Sequence, residues 1–261
     1  MAVSIDTVYQ KVLAFANKEQ RGYITPQEYN LFARKAQSEI FEGYFHDLKT
    51  SHYKANNDTG YADEGDMIRE KLHRFQEVTN IAAEATEDQD SSSETGLINL
   101  PYDSTNAFYK LISVERSGKK VEEVDIQDLA KILDNPLTSP TVNRSVYTRV
   151  RNTNVTYSPS QQYNNNYYNL SSIQIHPAPT AATAFTVRYY RSPVDPRWNY
   201  QMILGNPLYL PEYSKDFEIH SSDESLLIDK ILLLAGIAIQ KPDLVQAGLT
   251  NVAQNKQSQN D

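Results

Sequence analysis

The chain has 261 residues, a formal net charge of −8 and no cysteine. The negative charge argues against a protein that grips nucleic acid by neutralising phosphates. The lack of cysteine excludes disulfides, thiol catalysis and cysteine-ligated metal. The longest apolar run, Ile231 to Ile239, is about half a membrane span, so the composition predicts a soluble protein without a membrane partner.

Tyrosine is unusually frequent, with 18 residues against eight phenylalanines and one tryptophan. Any single tyrosine is adequately explained by a place in the core or in a strand. Tyrosine also offers a large contact area and a hydroxyl at low entropic cost, which enriches it at interfaces. The excess as a whole therefore favours extensive contact between subunits.

The first two predicted elements are amphipathic helices over residues 6–20 and 26–49. At the corner between them, Thr25 suits an N-cap, Pro26 the first helical position, and Glu28 the glutamate of a capping box. Gly22 suits a left-handed residue after the first helix. The second helix carries one apolar stripe, formed by Tyr29, Ala33, Ala36, Ile40, Tyr44 and Leu48.

Two polar stretches flank a third predicted helix. Residues 52–66 contain glycine and few apolar side chains, which predicts a loop. The helix is predicted over 67–85 because apolar residues recur there at helical spacing. Residues 86–95 are acidic and serine-rich with nothing to bury, which predicts a linker.

The middle of the chain changes to the period of two that is typical of strands. Strands over 107–116 and 121–124 around a Ser117–Lys120 turn predict a hairpin, and a short helix over 125–133 follows. Further strands are predicted over 145–157, 172–176 and 185–191. The tyrosine- and asparagine-rich stretch 161–169 is predicted to be a protruding loop.

The last third contains an extended segment and helices. Four prolines make residues 192–213 an irregular arm. Ser221 and Ser222 are candidate N-caps for a helix over 226–240 that is apolar nearly all round, and Pro242 separates it from a second helix that fades toward 254.

The predicted fold class is α+β, with helices at both ends and a small, mostly antiparallel sheet in the middle. The predicted organisation is a helical region over 1–88, a linker over 89–98, a β-rich region with the proline-rich arm over 99–215, C-terminal helices over 216–254 that pack on the N-terminal helices, and a flexible tail over 255–261.

No constellation of residues predicts catalysis, a cofactor or a metal. The five histidines show no zinc-type spacing, and neither a Walker loop, a GxGxxG motif nor a nucleophile elbow is present. Asp58-Thr59-Gly60 matches the aspartic-protease signature, but Asn56 and Asn57 precede it where a buried strand is needed, and no second copy exists. The sequence therefore predicts a protein that is not an enzyme.

Residues 18–30, Lys-Glu-Gln-Arg-Gly-Tyr-Ile-Thr-Pro-Gln-Glu-Tyr-Asn, resemble the opening of virion structural proteins of crAss-like and related short-tailed bacteriophages. Later segments are also similar: Tyr189–Pro193, Pro196-Arg197-Trp198, and Asp216–His220 before the apolar helix. The resemblance covers most of the chain and is weakest over 51–95 and in the 161–169 loop. The broader layout is similar to head–tail adaptor and ring proteins that prolong the portal channel.

This resemblance implies a structural virion component that forms a ring or adaptor at the portal–tail junction. Its expected partners are its own copies in a closed ring of about twelve, the portal protein and adjoining tail or ring proteins. Double-stranded DNA would pass through without sequence-specific binding. The expected location is the virion, at the head–tail interface, after assembly in the host bacterial cytoplasm.

Two other classes of function stay open. One is a different virion protein, such as an outer tail ring, a fibre-docking collar or an ejected cargo protein. The other is a soluble enzyme or a host-directed binding module, which only the solubility and the mixed α+β pattern favour.

The residues predicted to lie at interfaces belong to the 161–169 loop, the proline-rich arm and the tail. They are Tyr163, Tyr167, Tyr168, Arg197, Trp198, Tyr200, Asn255, Gln257 and Gln259. For Trp198, burial within its own subunit is the alternative.

Overall fold

The computed structural model describes residues 3–16, 24–54, 60–82, 96–101, 107–152, 170–179, 183–238, 246, 249–251 and 253–254. The helices are α1 Ile5–Ala16, α2 Pro26–Lys54, α3 Gly60–His73, α4 Ile126–Asp134 and α5 Glu224–Ala238. The strands are β1 Gln76–Ala82, β2 Leu97–Asn99, β3 Phe108–Arg116, β4 Lys119–Glu123, β5 Val146–Asn152, β6 Leu170–His176, β7 Ala184–Arg191, β8 Tyr200–Ile203 and β9 Asn206–Tyr209. The predicted α+β class is confirmed.

The chain forms two compact units, and the first is built from both ends of the sequence. It comprises Met1–Arg74 and Pro193–Asp261, whereas the second comprises Phe75–Ser192. The second unit thus begins within the region predicted to be helical and ends before the proline-rich arm.

The core of the first unit lies between helices. The helix α5 packs against α1 and α2, and α2 also packs against α3. Each helix contributes an apolar stripe at helical spacing, which explains the burial. The buried residues include Ile5, Val8, Tyr9 and Val12 from α1, Tyr29, Ala33, Ala36 and Ile40 from α2, and Leu227, Ile231 and Ala235 from α5.

The predicted capping box at the start of α2 is confirmed. The Thr25 amide donates to the Glu28 carboxylate over 2.9 Å, and the Glu28 amide donates to the Thr25 hydroxyl over 3.3 Å. These bonds satisfy donors that the first turn of a helix otherwise leaves unpaired. The backbone amide and the hydroxyl of Thr25 also lower the pKa of Glu28.

Replacing Thr25 with alanine is expected to cost about 1 kcal/mol of unfolding free energy, because the N-cap acceptor is lost. The control is Thr50→Ala, which removes a hydroxyl bonded to the His46 carbonyl inside α2 and is expected to change stability by less than about 0.5 kcal/mol. Urea unfolding measures both variants.

The same measurement as a function of pH tests the charge of Glu28. Its folded pKa lies below the unfolded value, so the stabilisation is complete above the unfolded pKa and is lost as pH falls through the folded pKa. Equal unfolding midpoints for Thr25→Ala and Thr50→Ala above that range would contradict the capping argument.

The prediction of a third helix over 67–85 is wrong in its second half. The helix α3 ends at His73, and Gln76–Ala82 form β1, which pairs antiparallel with β7 along its whole length. Val78, Thr79 and Ile81 are β-branched and favour a strand, although their spacing also fits a helix. Pairing with β7 decides between the two, through contacts such as the Thr186 hydroxyl donating to Asn80 over 2.9 Å.

Two neighbouring predictions also need correction. The predicted loop over 52–66 is helical at 52–54 and 60–66, since α2 runs to Lys54 and α3 begins at Gly60. The predicted linker over 89–98 ends inside β2, which pairs with β6. Residues 17–23 and 83–95, including Gly22 and the stretch predicted as a linker, lie outside the described residues.

The second unit is a seven-stranded mixed sheet in the order β1-β7-β3-β4-β5-β6-β2. Among the described strands, β4 and β5 form the parallel pair and the other neighbours are antiparallel. The predicted hairpin, the short helix and the three later strands are present with small shifts at their ends, except that residues 153–157 of the strand predicted over 145–157 lie outside the described residues. The core of this unit is formed by Ile98, Leu100, Leu111, Val114, Val121, Tyr147, Ile173, Ile175, Phe185, Val187 and Tyr189.

Candidate interaction surface

The proline-rich segment is anchored to the first unit by a cluster of aromatic rings around Trp198. The Trp198 ring lies 4.3 Å from the Tyr9 ring between centroids, and it stacks on Tyr200 and Tyr209, each at 5.6 Å. Its side chain is 2% exposed. The offset contacts between large rings add to the energy of burying them. This cluster therefore fixes Trp198 and the residues beside it, which we call the root of the segment.

Polar contacts hold the same root in register. Asn30 on α2 accepts from the Trp198 amide over 2.8 Å and donates to the Trp198 carbonyl over 3.0 Å. The indole Nε1 donates to Asp6 over 3.0 Å, which satisfies the polar atom of a buried ring. The segment therefore leaves the helical core at a fixed position and direction.

Beyond this root the chain folds into the β8–β9 hairpin, where an irregular arm was predicted. Tyr200 pairs with Tyr209 at the base, and Ile203 pairs with Asn206 next to a two-residue turn. Both turn residues have positive φ, 51° at Leu204 and 85° at Gly205. Large apolar side chains are exposed along the hairpin: Met202, Ile203, Leu204 and Leu208.

A second exposed apolar surface lies on α4. Asp125 caps the helix by accepting from the Gln127 amide over 3.3 Å, and no residue of α4 is buried. Four of its five apolar residues nevertheless form one stripe at helical spacing, and exposed Leu137 follows the helix. The stripe consists of Ile126, Leu129, Ala130 and Leu133.

A cleft of about 390 Å³ lies beside β3, β4 and β5, lined by Ile112, Ser113, Lys120, Val121, Glu122, Glu123 and Tyr147. The Tyr147 hydroxyl donates to Glu123 over 3.0 Å, and Arg149 pairs with the same carboxylate over 2.7 Å. Burial, followed by the bond to Glu123, raises the pKa of Tyr147 to about 12. A phenol with a raised pKa is neutral near pH 7, which suits a structural hydrogen bond better than proton transfer.

A buried charged cluster joins three helices of the first unit. Asp223, which directly precedes α5, accepts from the Tyr44 hydroxyl over 2.6 Å and pairs with Lys71 over 2.8 Å. The side chains of Asp223 and Lys71 are 1% and 12% exposed. Burial and the carboxylate of Asp223 raise the pKa of Tyr44 far above its ordinary value. With each polar group partnered, the cluster is suited to fixing α5 against α2 and α3.

The predicted interface residues fall into three groups. Trp198 is buried within its own subunit, which was the alternative to the predicted interface role. The stacked tyrosines cover its ring. Arg197 is exposed and Tyr200 half-buried, and their interface role stays a prediction. The other six, Tyr163, Tyr167, Tyr168, Asn255, Gln257 and Gln259, lie outside the described residues.

Sequence reasoning missed that the hairpin tip and the stripe of α4 are exposed apolar surfaces. The first had a readable signal, because Leu204-Gly205 stands where a hairpin turn favours Asn-Gly and is preceded by apolar residues. The sequence shows the second as a stripe of three aliphatic residues and an alanine at helical spacing, but it does not show that this stripe is exposed.

The described parts of the chain hold no group of three or more histidine, aspartate or glutamate side chains placed to bind a metal. No helix in those parts combines the length and apolar character needed to cross a membrane. Comparison with protein-family models and with curated proteins finds no match for this chain.

Proposed function

We propose that this chain is a structural subunit of a tailed-phage virion that assembles into a ring or adaptor at the portal–tail junction. In this role it extends the DNA channel and docks tail proteins. The observation that carries the proposal is the resemblance of residues 18–30, 189–193, 196–198 and 216–220 to crAss-like phage virion proteins.

The fold supports treating parts of these stretches as one module. Asn30, at the end of the first stretch, exchanges two hydrogen bonds with Trp198 of the second. Phe217 of the third stretch pairs with Val3 at the start of the chain through backbone bonds of 3.3 and 3.1 Å. The first and second stretches, 168 positions apart at this contact, thus meet in the first unit.

The surface also suits a subunit that works by contact. The β8–β9 hairpin exposes four large apolar side chains and α4 exposes two, Ile126 and Leu133, and such surfaces are typical of protein interfaces. A ring needs two different surfaces that meet in a rotation that closes. The net charge of −8 suits a channel wall, since an acidic wall repels phosphate and lets the duplex slide.

Electron cryo-microscopy of the virion and of the purified protein tests this proposal. We expect a closed ring of about twelve copies at the portal–tail junction. A chain that is monomeric both after purification and inside particles would contradict it. Recovery with the ejected proteins, and not with the emptied shell, would favour an ejected cargo protein.

A further inference from the structure

Arg116, the last residue of β3, is a buried cation without a carboxylate partner among the described residues. It is only 8% exposed. Its Nη1 donates to the Ser145 hydroxyl over 3.0 Å, and its guanidinium carbon lies 5.6 Å from the centroid of the Phe185 ring. In the described part of the chain, Nε and Nη2 make no hydrogen bond. Because a charged side chain is rarely buried this far without an opposite charge, the site lacks a counter-ion.

The contacts of Arg116 hold its guanidinium in place. The Ser145 hydroxyl donates to the Thr141 and Val142 carbonyls, both over 3.4 Å, which leaves its lone pairs to accept from Arg116. Phe185 is the register partner of Arg116 on β7, so the ring contact is fixed by the sheet. A guanidinium held in this way loses little further entropy when an anion binds.

A second cation, Lys119, lies directly opposite Arg116 in the β3–β4 ladder. Like charges in this relation destabilise an antiparallel pair. The Lys119 ammonium is exposed and donates to the neutral Asn143 side chain over 2.8 Å, and it has no ion-pair partner among the described residues. An anion bound to both cations would replace their repulsion with two attractions.

The nearby carboxylates do not supply this anion. Each acidic residue of β3 and β4 forms an ion pair with an arginine outside the two strands: Glu115 with Arg188, Glu122 with Arg144 over 3.7 Å, and Glu123 with Arg149 over 2.7 Å. On α4 and its cap, Asp125 caps the helix, Asp128 pairs with Lys131, and Asp134 pairs with neither Arg116 nor Lys119.

We propose that Arg116 and Lys119 form a binding site for an oxyanion, a carboxylate or a phosphate group. Its oxygens accept from Nε and Nη2 of Arg116 and from the Lys119 ammonium, a geometry that the planar fork of arginine favours. Ser145 and Phe185 are positioning residues, because they act on the anion through Arg116.

Such an anion can come from the chain itself or from outside it. Between β1 and β2 the sequence carries five acidic residues and no basic one: Glu84, Glu87, Asp88, Asp90 and Glu94. Phe185 pairs with Ile81 on one side and with Arg116 on the other, so β1 ends about 10 Å, or two strand spacings, from the site. The outside source is free phosphate.

Scanning calorimetry in inorganic phosphate tests the site, with sodium chloride of equal ionic strength as the reference. The test uses an amide variant, Glu84→Gln/Glu87→Gln/Asp88→Asn/Asp90→Asn/Glu94→Gln, in which the chain's own candidate carboxylates are removed. For a dissociation constant of about 1 mM, phosphate at about 100 mM should raise its thermal midpoint by about 5–10 °C.

Two neighbouring lysines separate binding from the general stabilisation that phosphate gives folded proteins. Adding Lys119→Gln to the amide variant should roughly halve the rise, as expected for about tenfold weaker binding. Adding Lys120→Gln should leave the rise unchanged, because Lys120 lies opposite Glu115. Arg116→Gln should abolish it, and if that variant does not fold, the two lysine variants still decide.

The wild type distinguishes the two sources. If the chain supplies the carboxylate, phosphate should not stabilise the wild type beyond chloride, and the amide variant without phosphate should melt lower. If the anion comes from outside, both chains should respond equally. An equal rise with Lys119→Gln and Lys120→Gln, or no rise above chloride in the amide variant, would overturn the inference. The site lies within the second unit, so the test does not depend on the proposed ring.

Discussion

Replacing Asp223 with alanine is expected to lower the free energy of unfolding of the first unit by about 3–5 kcal/mol. The substitution removes the acceptor of the Tyr44 hydroxyl and the partner of Lys71 at once. Tyr44 is buried and the Lys71 side chain is 12% exposed, and an unpaired charge held away from water is costly. Urea unfolding followed by the fluorescence of Trp198, the one tryptophan in the chain, reports this unit directly.

The matched control breaks an ion pair of the same kind at the surface of the same unit. Arg34 and Asp195 lie 2.9 Å apart, with side chains 65% and 57% exposed. Asp195→Ala should therefore cost at most about 1 kcal/mol, since exposed pairs contribute little. A loss of similar size for Asp223→Ala and Asp195→Ala would refute the role assigned to the buried cluster.

Replacing Trp198 with alanine is expected to cost about 3–5 kcal/mol, the range for removing a large buried aromatic side chain. The cavity would lie between Tyr9, Tyr200 and Tyr209, whose rings all contact the indole. Since the variant has no tryptophan, circular dichroism is the suitable probe of its unfolding. The hairpin should loosen as well, because Trp198 holds its base against α1 and α2.

Two measurements sharpen this second prediction. Trp198→Phe keeps an aromatic ring but loses the Nε1 bond to Asp6, so a smaller loss of about 1–2 kcal/mol is expected. In the wild type, dissociated subunits should show blue-shifted tryptophan emission, because the indole is buried without any partner. If folded, dissociated subunits showed the emission of a water-exposed tryptophan, this would contradict the burial of Trp198 in the aromatic cluster.

Local features of the sequence predicted the local features of the fold. The Thr25–Glu28 box and the stripe of α2 could be read directly, because caps and helical spacing depend on residues a few positions apart. The Ser117–Gly118 turn could be read for the same reason. These elements give the α+β class, but they do not specify how the elements come together.

The predictions failed where contacts between residues far apart in sequence determine the structure. Phe75, Val78 and Ile81 fit a helix by spacing, and only the antiparallel partner β7 makes Gln76–Ala82 a strand. Asp223 and Lys71 are separated by 152 positions, so no local pattern could join them. The burial of Trp198 depends likewise on Tyr9 and Asn30 from the far end of the chain.

Because the second unit lies in sequence between the two segments of the first, the two units can fold at different times during synthesis. Phe75–Ser192 is continuous and can collapse once it has been translated, whereas α1 and α2 must wait for residues 193–238. Until then the stripe that ends up against α5 stays uncovered, and the Trp198 root has no support. The hairpin therefore becomes a rigid projection only late in translation, once α1 and α2 have closed around its base.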